Sequence, residues 1–171
     1  MKHIVICGER HVGKSTLVRG LLAENHRPVS GFLTRMGHAG ADGFHPIHIY
    51  PAGSVCRIPT EENHVADCDS HRRTVRSEVF ETLGVQYLEG IPGGIIVMDE
   101  LGFMESGSPR FREKVLSDLD GDIPCLCVVK ARCDVPFLNA VRSHPRVDLY
   151  HVTEQNRSEL FGELLRRFRE L

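Results

Sequence analysis

Close to its N-terminus the chain carries the pattern G-x-x-x-x-G-K-[ST], which starts at Gly8 and ends at Ser15. An apolar run, residues 4–7, precedes it, and leucines spaced to cover one helix face follow it from about Lys14 to Asn25. Two glycines allow the backbone to curl, so that the amides between them and the helix N-terminus point at an anion. A strand, a glycine-rich turn and a helix in this order predict a phosphate-binding loop, or P-loop.

The side chains of this loop have the chemistry that a nucleotide site needs. Lys14 is expected to reach the β- and γ-phosphates, and Ser15 to place its hydroxyl on Mg²⁺. The other positions contribute mainly backbone amides, so polar side chains there project to solvent, and whether Arg10 or His11 also contacts the nucleotide stays open. The candidate nucleotide-binding residues are Gly8, Glu9, Arg10, His11, Val12, Gly13, Lys14, Ser15 and Thr16.

Length and charge narrow the classes of protein. A chain of 171 residues fits one domain, residues 1–171. A formal net charge of −2 with mixed signs gives no overall field for nucleic acid or a membrane, so we expect neither as a partner, and a protein partner is left open. No run approaches the roughly 20 apolar residues of a membrane span, and the segment before the loop is too short for a signal-peptide core. We therefore expect a cytoplasmic protein.

The six cysteines include no C-x-x-C pair, and in a protein expected to be cytoplasmic we do not expect disulfides. Cys56, His64, Cys68 and His71 lie within sixteen residues and are residue types that bind zinc. Their spacing fits no finger pattern, and a polar loop in a chain with ten histidines gathers such residues by chance. We do not predict a metal there and leave the role of this segment open.

Further along, the chain alternates between strand and helix patterns. Residues 29–36 predict a strand and 44–50 the return strand of a β-hairpin, whereas the polar stretch 51–73 predicts a long irregular segment. A helix is predicted over 74–89, interrupted by Gly84, and another from Pro109 to about Leu119, capped by Ser108. Strands at 123–130 and 147–152 and helices at 135–142 and 155–169 complete the pattern. Strands alternating with helices predict a three-layer α/β fold with a mainly parallel sheet.

Residues 95–98 form a continuous apolar run that leads directly into Asp99 and Glu100. Such a run predicts a central parallel strand covered on both faces, and its carboxyl end is where α/β sheets place their chemistry. Downstream of a P-loop this is the Walker B strand, with Asp99 holding Mg²⁺ beside Ser15. Glu100 suits the subdivision of P-loop proteins in which an acidic residue polarises the attacking water.

Taken together, four stretches resemble the cancer-related nucleoside-triphosphatase family, a group of small P-loop NTPases first described from thermophiles. They are residues 8–17, 29–34, 99–105 and 152–157, which include versions of D-E-[IL]-G-x-M-E and V-T-x-x-N-R in the family's order. The resemblance implies the RecA-like (ASCE) type of P-loop fold with a β-hairpin insertion, and slow, Mg²⁺-dependent hydrolysis of nucleoside triphosphates such as ATP and GTP to the diphosphate and phosphate. It also makes Asn156 and Arg157 candidates for base or ribose contact, although Asn156 is equally suited to cap the last helix and Arg157 to pair with a carboxylate.

The chain departs from the family pattern at two places. Arg35-Met36-Gly37 follows Thr34 where the family usually has an acidic residue, a small residue and an arginine, and residues 72–75 replace a Gly-x-Tyr element. A small kinase and a nucleotide-dependent switch remain alternatives to a hydrolase, with Glu100 favouring water activation. The arginine that assists catalysis is not chosen by the sequence; the candidates are Arg72, Arg73, Arg110 and Arg132, with Lys130 as a further possible phosphate sensor.

Overall fold

The computed structural model describes residues 2–69 and 71–171. Its centre is an eight-stranded sheet with the strand order β5-β4-β3-β2-β6-β7-β1-β8. The strands are β1 (His3–Gly8), β2 (Val29–Met36), β3 (His45–Pro51), β4 (His64–Cys68), β5 (Arg73–Val75), β6 (Ile95–Leu101), β7 (Cys125–Lys130) and β8 (Val147–His151). Neighbouring strands in the part β2-β6-β7-β1-β8 pair in parallel. On the other side of β2, strands β3, β4 and β5 continue the sheet in antiparallel pairing.

Helices cover both faces of the parallel part. They are α1 (Lys14–Ala23), α2 (Ser77–Val79, a π-helical turn Phe80–Gly84, and Val85–Tyr87), α3 (Pro109–Asp120), α4 (Pro136–Arg142) and α5 (Arg157–Arg169), with a 3₁₀ turn at Met104–Gly107. Successive strand residues point to opposite faces, so each central strand supplies two cores. Ile96 and Met98 face the core under α2, α3 and α4, while Ile95 and Val97 face the core under α1 and α5. The predicted three-layer α/β fold is confirmed.

The prediction of an irregular segment over residues 51–73 is wrong for the second half of this range. Strand β4 lies there, antiparallel to β3 on one side and to β5 on the other. Its polar residues gave no strand pattern, but His64 contacts Asp67 at 2.9 Å and is itself buried, so the polar groups satisfy each other.

The boundaries of two helices also differ from the prediction. Thr74 pairs with Asp67 in the sheet, so α2 begins at Ser77 rather than Thr74. Ser108 precedes α3 and Pro109 is its first residue as predicted, but the Ser108 hydroxyl donates to the carbonyl of Ser77 at 3.2 Å and makes no cap hydrogen bond. Ser108 therefore ties α3 to the start of α2. Within the described residues, no helix is long and apolar enough to cross a membrane.

Candidate active site

The P-loop connects β1 to α1 and its shape depends on both glycines. A side chain at Gly8 would place its Cβ 2.4 Å from the carbonyl oxygen of Val152, so only glycine fits beneath the neighbouring chain. Gly13 has φ 102°, in the left-handed region that favours glycine. Its carbonyl accepts hydrogen bonds from the amides of Thr16 and Leu17, which start α1. The loop therefore delivers the chain into a helix N-terminus, the local geometry that binds phosphate.

The remaining loop residues divide by exposure. Glu9, Arg10 and His11 are exposed, and His11 is the one non-glycine residue with positive φ among the described residues, whereas Val12 is buried and anchors the loop. Thr16 is exposed and its hydroxyl accepts a hydrogen bond from Arg19 at 3.2 Å. Ser15, and not Thr16, is the hydroxyl residue of the loop that contacts Asp99.

Lys14 is buried at the mouth of the loop. Its Nζ donates to the carbonyl oxygens of Gly8 at 2.8 Å and Glu9 at 2.7 Å, and lies 4.0 Å from Oε2 of Glu100. The ammonium group is therefore held between the loop and the carboxylate of Glu100, near the end of β6. A phosphate placed in the loop lies within the reach of this cation.

Ser15 and Asp99 meet, as the sequence predicts for a magnesium site. The Ser15 hydroxyl donates to Oδ1 of Asp99 at 3.1 Å, and the aspartate is 1% exposed. A hydroxyl and a carboxylate at this separation are oxygen donors of the kind that Mg²⁺ prefers, so these residues fit the ion. The second carboxylate oxygen of Asp99 accepts from Nη2 of Arg35 at 3.1 Å, a contact the sequence did not predict.

Glu100 stands between two lysines. Its Oε1 lies 3.3 Å from Nζ of Lys130 and its Oε2 lies 4.0 Å from Nζ of Lys14. The backbone amide of Glu100 donates to the Thr34 hydroxyl at 3.3 Å, which fixes the end of β6 to β2. Each carboxylate oxygen of Glu100 therefore faces one lysine ammonium group.

A cavity of about 400 Å³ opens above these groups. Loop residues form one wall, among them Arg10 and Lys14, and Glu100 forms part of the floor. The rest of the lining comes from β2, β3, β5, the turn after β6 and the end of β7. These lining residues include Thr34, Met36, Ile47, Arg73, Phe103, Met104, Lys130 and Arg132. Ser15, Asp99, Asn156 and Arg157 lie outside this lining.

Asn156 and Arg157 lie at the start of α5, next to the P-loop on its other side. A Cβ on Gly13 would lie 3.4 Å from Nη1 of Arg157, so this guanidinium packs across the loop. The side chain of Asn156 accepts from the Thr153 amide at 2.8 Å and donates to the His151 carbonyl at 2.9 Å. Asn156 therefore closes the turn before α5 with both of its polar groups, and of the two residues Arg157 has the side chain that packs against the P-loop.

Glu105 is a buried carboxyl group beneath the site. Its Oε2 accepts from the amide of Gly102 at 3.0 Å, while Oε1 has no hydrogen-bond partner among the described residues. Burial raises the pKa of Glu105 to about 7, against smaller lowering effects from the Gly102 amide and Lys130. Glu105 thus supports the turn that carries Phe103 and Met104 into the cavity wall.

Two of the four candidate arginines reach the cavity. Arg73 and Arg132 line it, whereas Arg72 contacts Asp69 at 3.3 Å and stacks over Phe44. Arg110 is exposed at the start of α3, where its amide donates to Glu81.

The residues of the polar segment 56–71 do not gather into a metal centre. Cys56 and His71 are exposed, Cys68 is buried in β4, and His64 contacts Asp67. Across residues 2–69 and 71–171, no group of three or more His, Cys, Asp or Glu side chains is arranged to hold a metal ion.

The strand order defines the class of protein. Strand β7 lies between the P-loop strand β1 and the strand β6 that ends in Asp99 and Glu100, as in the RecA-like P-loop fold. With the glycine-rich loop, the Ser15–Asp99 pair and an acidic residue beside Lys14, the chain is a P-loop protein of that type.

Comparison with known proteins narrows this class. The chain matches the family described as NTPase over residues 3–165. It is 38% identical to nucleoside-triphosphatase THEP1 of Thermofilum pendens, over 99% of this chain and 97% of that protein, and 29% identical to THEP1 of Thermotoga petrophila, over 95% and 90%. The crystal structure of THEP1 from Aquifex aeolicus has the same fold, with a TM-score of 0.75 at 23% identity over 97% of this chain and 98% of that one. The chain therefore belongs to the NTPase family, which confirms the resemblance drawn from its motifs.

Sequence reasoning missed several residues of the site. In the sequence Arg35 is only a departure from the family pattern. The residues around it in the chain do not indicate that it reaches Asp99 from an adjacent strand. Phe103 belongs to the matching stretch 99–105, but its contact with Arg73 joins parts of the chain that are thirty residues apart in the sequence. Such contacts depend on the order of strands across the sheet, which local patterns do not contain.

Proposed function

We propose that this protein hydrolyses nucleoside 5′-triphosphates to the diphosphate and phosphate, with Mg²⁺ as cofactor and with ATP and GTP among its substrates. One observation carries the proposal: Glu100 lies beside Lys14 at the P-loop, directly after the Asp99 that contacts Ser15. Membership of the NTPase family and the name nucleoside-triphosphatase of its relatives support the same reaction.

In the proposed mechanism the loop amides and Lys14 bind the β- and γ-phosphates. Ser15 and Asp99 hold Mg²⁺, which when bound neutralises charge on the phosphate oxygens. Glu100 orients a water molecule and accepts its proton as the water oxygen forms a bond to the γ-phosphorus. The bond from that phosphorus to the β–γ bridging oxygen breaks, and its electron pair stays on the oxygen of the departing diphosphate.

A kinase with the same loop would transfer the phosphoryl group to an acceptor instead of water. The position of Glu100 favours water, because its carboxylate lies beside Lys14 at the P-loop, where it can accept a proton from an attacking water molecule. The cavity leaves room for a small acceptor, so the experiment has to include this outcome.

The decisive experiment measures phosphate release from ATP, GTP, CTP, UTP and dTTP with Mg²⁺, and again with EDTA in place of the metal. Glu100→Gln is the control, since it keeps the shape of the side chain and removes the base. Release that requires Mg²⁺ and disappears in Glu100→Gln supports the proposal and ranks the bases. Nucleotide binding without release, or full release by Glu100→Gln, contradicts it.

A further inference from the structure

The aromatic ring of Phe103 is surrounded by three cations at the cavity wall. The guanidinium carbons of Arg73 and Arg132 lie 4.2 and 5.0 Å from the ring centroid, and Nζ of Lys130 lies 5.6 Å from it. Each of these distances is within the range of cation–π attraction. The ring therefore gathers positive charge at the cavity wall.

Two of the three cations are already committed to carboxylates. Lys130 contacts Glu100 at 3.3 Å, and Arg132 donates to both oxygens of Asp134, from Nε at 3.0 Å and from Nη2. The side chain of Arg73 makes no hydrogen bond or ion pair within the part of the chain that the structure describes. A guanidinium has five N–H donors, and those of Arg73 are held beside the cavity by the ring alone.

The position of the cavity indicates which anion these donors meet. Lys14 and Glu100 line the same cavity. In the proposed function Lys14 binds the phosphates and Glu100 accepts the proton of the attacking water. The γ-phosphoryl group of a bound triphosphate therefore enters the cavity. Its three outer oxygens carry the charge that develops in the transition state, and a planar guanidinium matches a pair of them.

We propose that Arg73 binds the γ-phosphoryl group and stabilises the charge on it during transfer, and that Phe103 is the positioning residue that holds Arg73 in place. This inference rests on the proposed function, because it assigns a role in the same reaction. Arg73 belongs to β5, in the antiparallel part of the sheet, so this extension supplies a residue to the site of the parallel part.

The first test compares Arg73→Ala with Arg72→Ala. Arg72 is the matched control, because it is the adjacent arginine in the chain but contacts Asp69 and Phe44 outside the cavity lining. Arg73→Ala is expected to lower kcat by a factor on the order of 10²–10³, the usual cost of losing one donor to a developing oxyanion, and to raise KM, because the same guanidinium binds the γ-phosphoryl group before transfer. Arg72→Ala is expected to keep wild-type kcat. Equal kcat values in wild type and Arg73→Ala overturn the inference.

Binding measurements test Arg73 independently of turnover. Three probes are used, each with Mg²⁺. They are a nucleoside diphosphate, the diphosphate together with aluminium fluoride, and a β,γ-imido triphosphate. Arg73→Ala is expected to bind the diphosphate as wild type does, which also shows that it is folded, and to lose most of the added affinity for the other two. If wild type releases no phosphate, the proposed function fails, and the imido probe still decides whether Arg73 contacts the γ-phosphoryl group.

Phe103 is tested with Phe103→Leu and Phe103→Tyr. Leucine keeps apolar volume without a ring face, so kcat is expected to fall and KM to rise, in the same directions as in Arg73→Ala. Tyrosine retains the ring and is expected to restore kcat. A Phe103→Leu variant with the kcat of wild type contradicts the positioning role.

Discussion

Arg35 donates from Nη2 to Oδ2 of Asp99 at 3.1 Å, while Ser15 donates to the other carboxylate oxygen at the same distance. Asp99 is almost fully buried, so the guanidinium is the counter-ion of a carboxylate that solvent does not reach. Arg35 is anchored in turn by donating from Nη1 to the carbonyl of Thr34 at 2.7 Å. A fixed positive charge therefore stands next to the residues that fit Mg²⁺.

This arrangement predicts that Arg35 weakens Mg²⁺ binding. In Arg35→Gln the repulsion between the guanidinium and the ion is gone, so the Mg²⁺ concentration for half-maximal nucleotide binding is expected to fall on the order of tenfold. Arg35→Lys keeps the charge and is the control, with a requirement close to that of wild type. The measurement is a titration of Mg²⁺ against a fluorescent nucleotide. An unchanged or higher Mg²⁺ requirement in Arg35→Gln contradicts the prediction.

Lys14 is expected to dominate phosphate binding. Lys14→Ala removes a buried cation whose charge-assisted hydrogen bonds are worth about 1.5–3 kcal/mol each, so affinity for tri- and diphosphates is expected to fall on the order of 10- to 100-fold. Lys2→Ala is the control, because Lys2 is an exposed lysine that contacts Asp148 and precedes β1, at the end of this strand opposite to the loop. Calorimetric titration with a nucleoside diphosphate measures the change. Wild-type affinity in Lys14→Ala shows that the loop does not bind phosphate through this residue.

Much of the fold follows from local sequence patterns. Strand β2 has the bounds that its pattern predicted, residues 29–36, and the run before Asp99 forms the buried centre of β6. These segments were recognisable because central parallel strands are continuous apolar runs and because glycine-rich turns mark their ends.

The errors arise where tertiary pairing overrides local composition. His64 and Asp67 made β4 look like a loop, yet strand pairing and their mutual contact bury the segment. The π-helical turn in α2 places Gly84 where a Cβ would lie 2.8 Å from the ring of Phe111, so this glycine permits close helix contact that its own neighbourhood does not reveal. For the same reason the ring that holds Arg73 and the partner of Asp99 were found only in the structure.

Arg157 is expected to contribute to nucleotide affinity without acting on the phosphoryl transfer. Its guanidinium packs against Gly13, and Arg157 is outside the lining of the cavity that Glu100 borders. Arg157→Ala is expected to raise KM for the triphosphate about tenfold, the loss of one hydrogen bond from a charged group, with kcat unchanged. Arg166→Ala, an exposed arginine of the same helix, is the control and is expected to behave as wild type. A fall in kcat with constant KM contradicts this role.

The raised pKa of Glu105 predicts that this residue makes a pH-dependent contribution to the free energy of unfolding. Its pKa is raised to about 7 by burial, above the 4.5 of an exposed glutamate, so the folded protein holds the proton more tightly than the unfolded chain does. This proton stabilises the folded protein fully below pH 4.5, and the stabilisation is lost as the pH rises through about 7. The rise in pKa from 4.5 to about 7 corresponds to about 3 kcal/mol in the free energy of unfolding. Glu105→Gln keeps an acceptor for the Gly102 amide and has no charge to bury. Chemical unfolding of both proteins from pH 4.5 to 8 is therefore expected to show the variant gaining stability relative to wild type as the pH rises, with the gain levelling off above pH 7. A constant difference across this range contradicts the raised pKa.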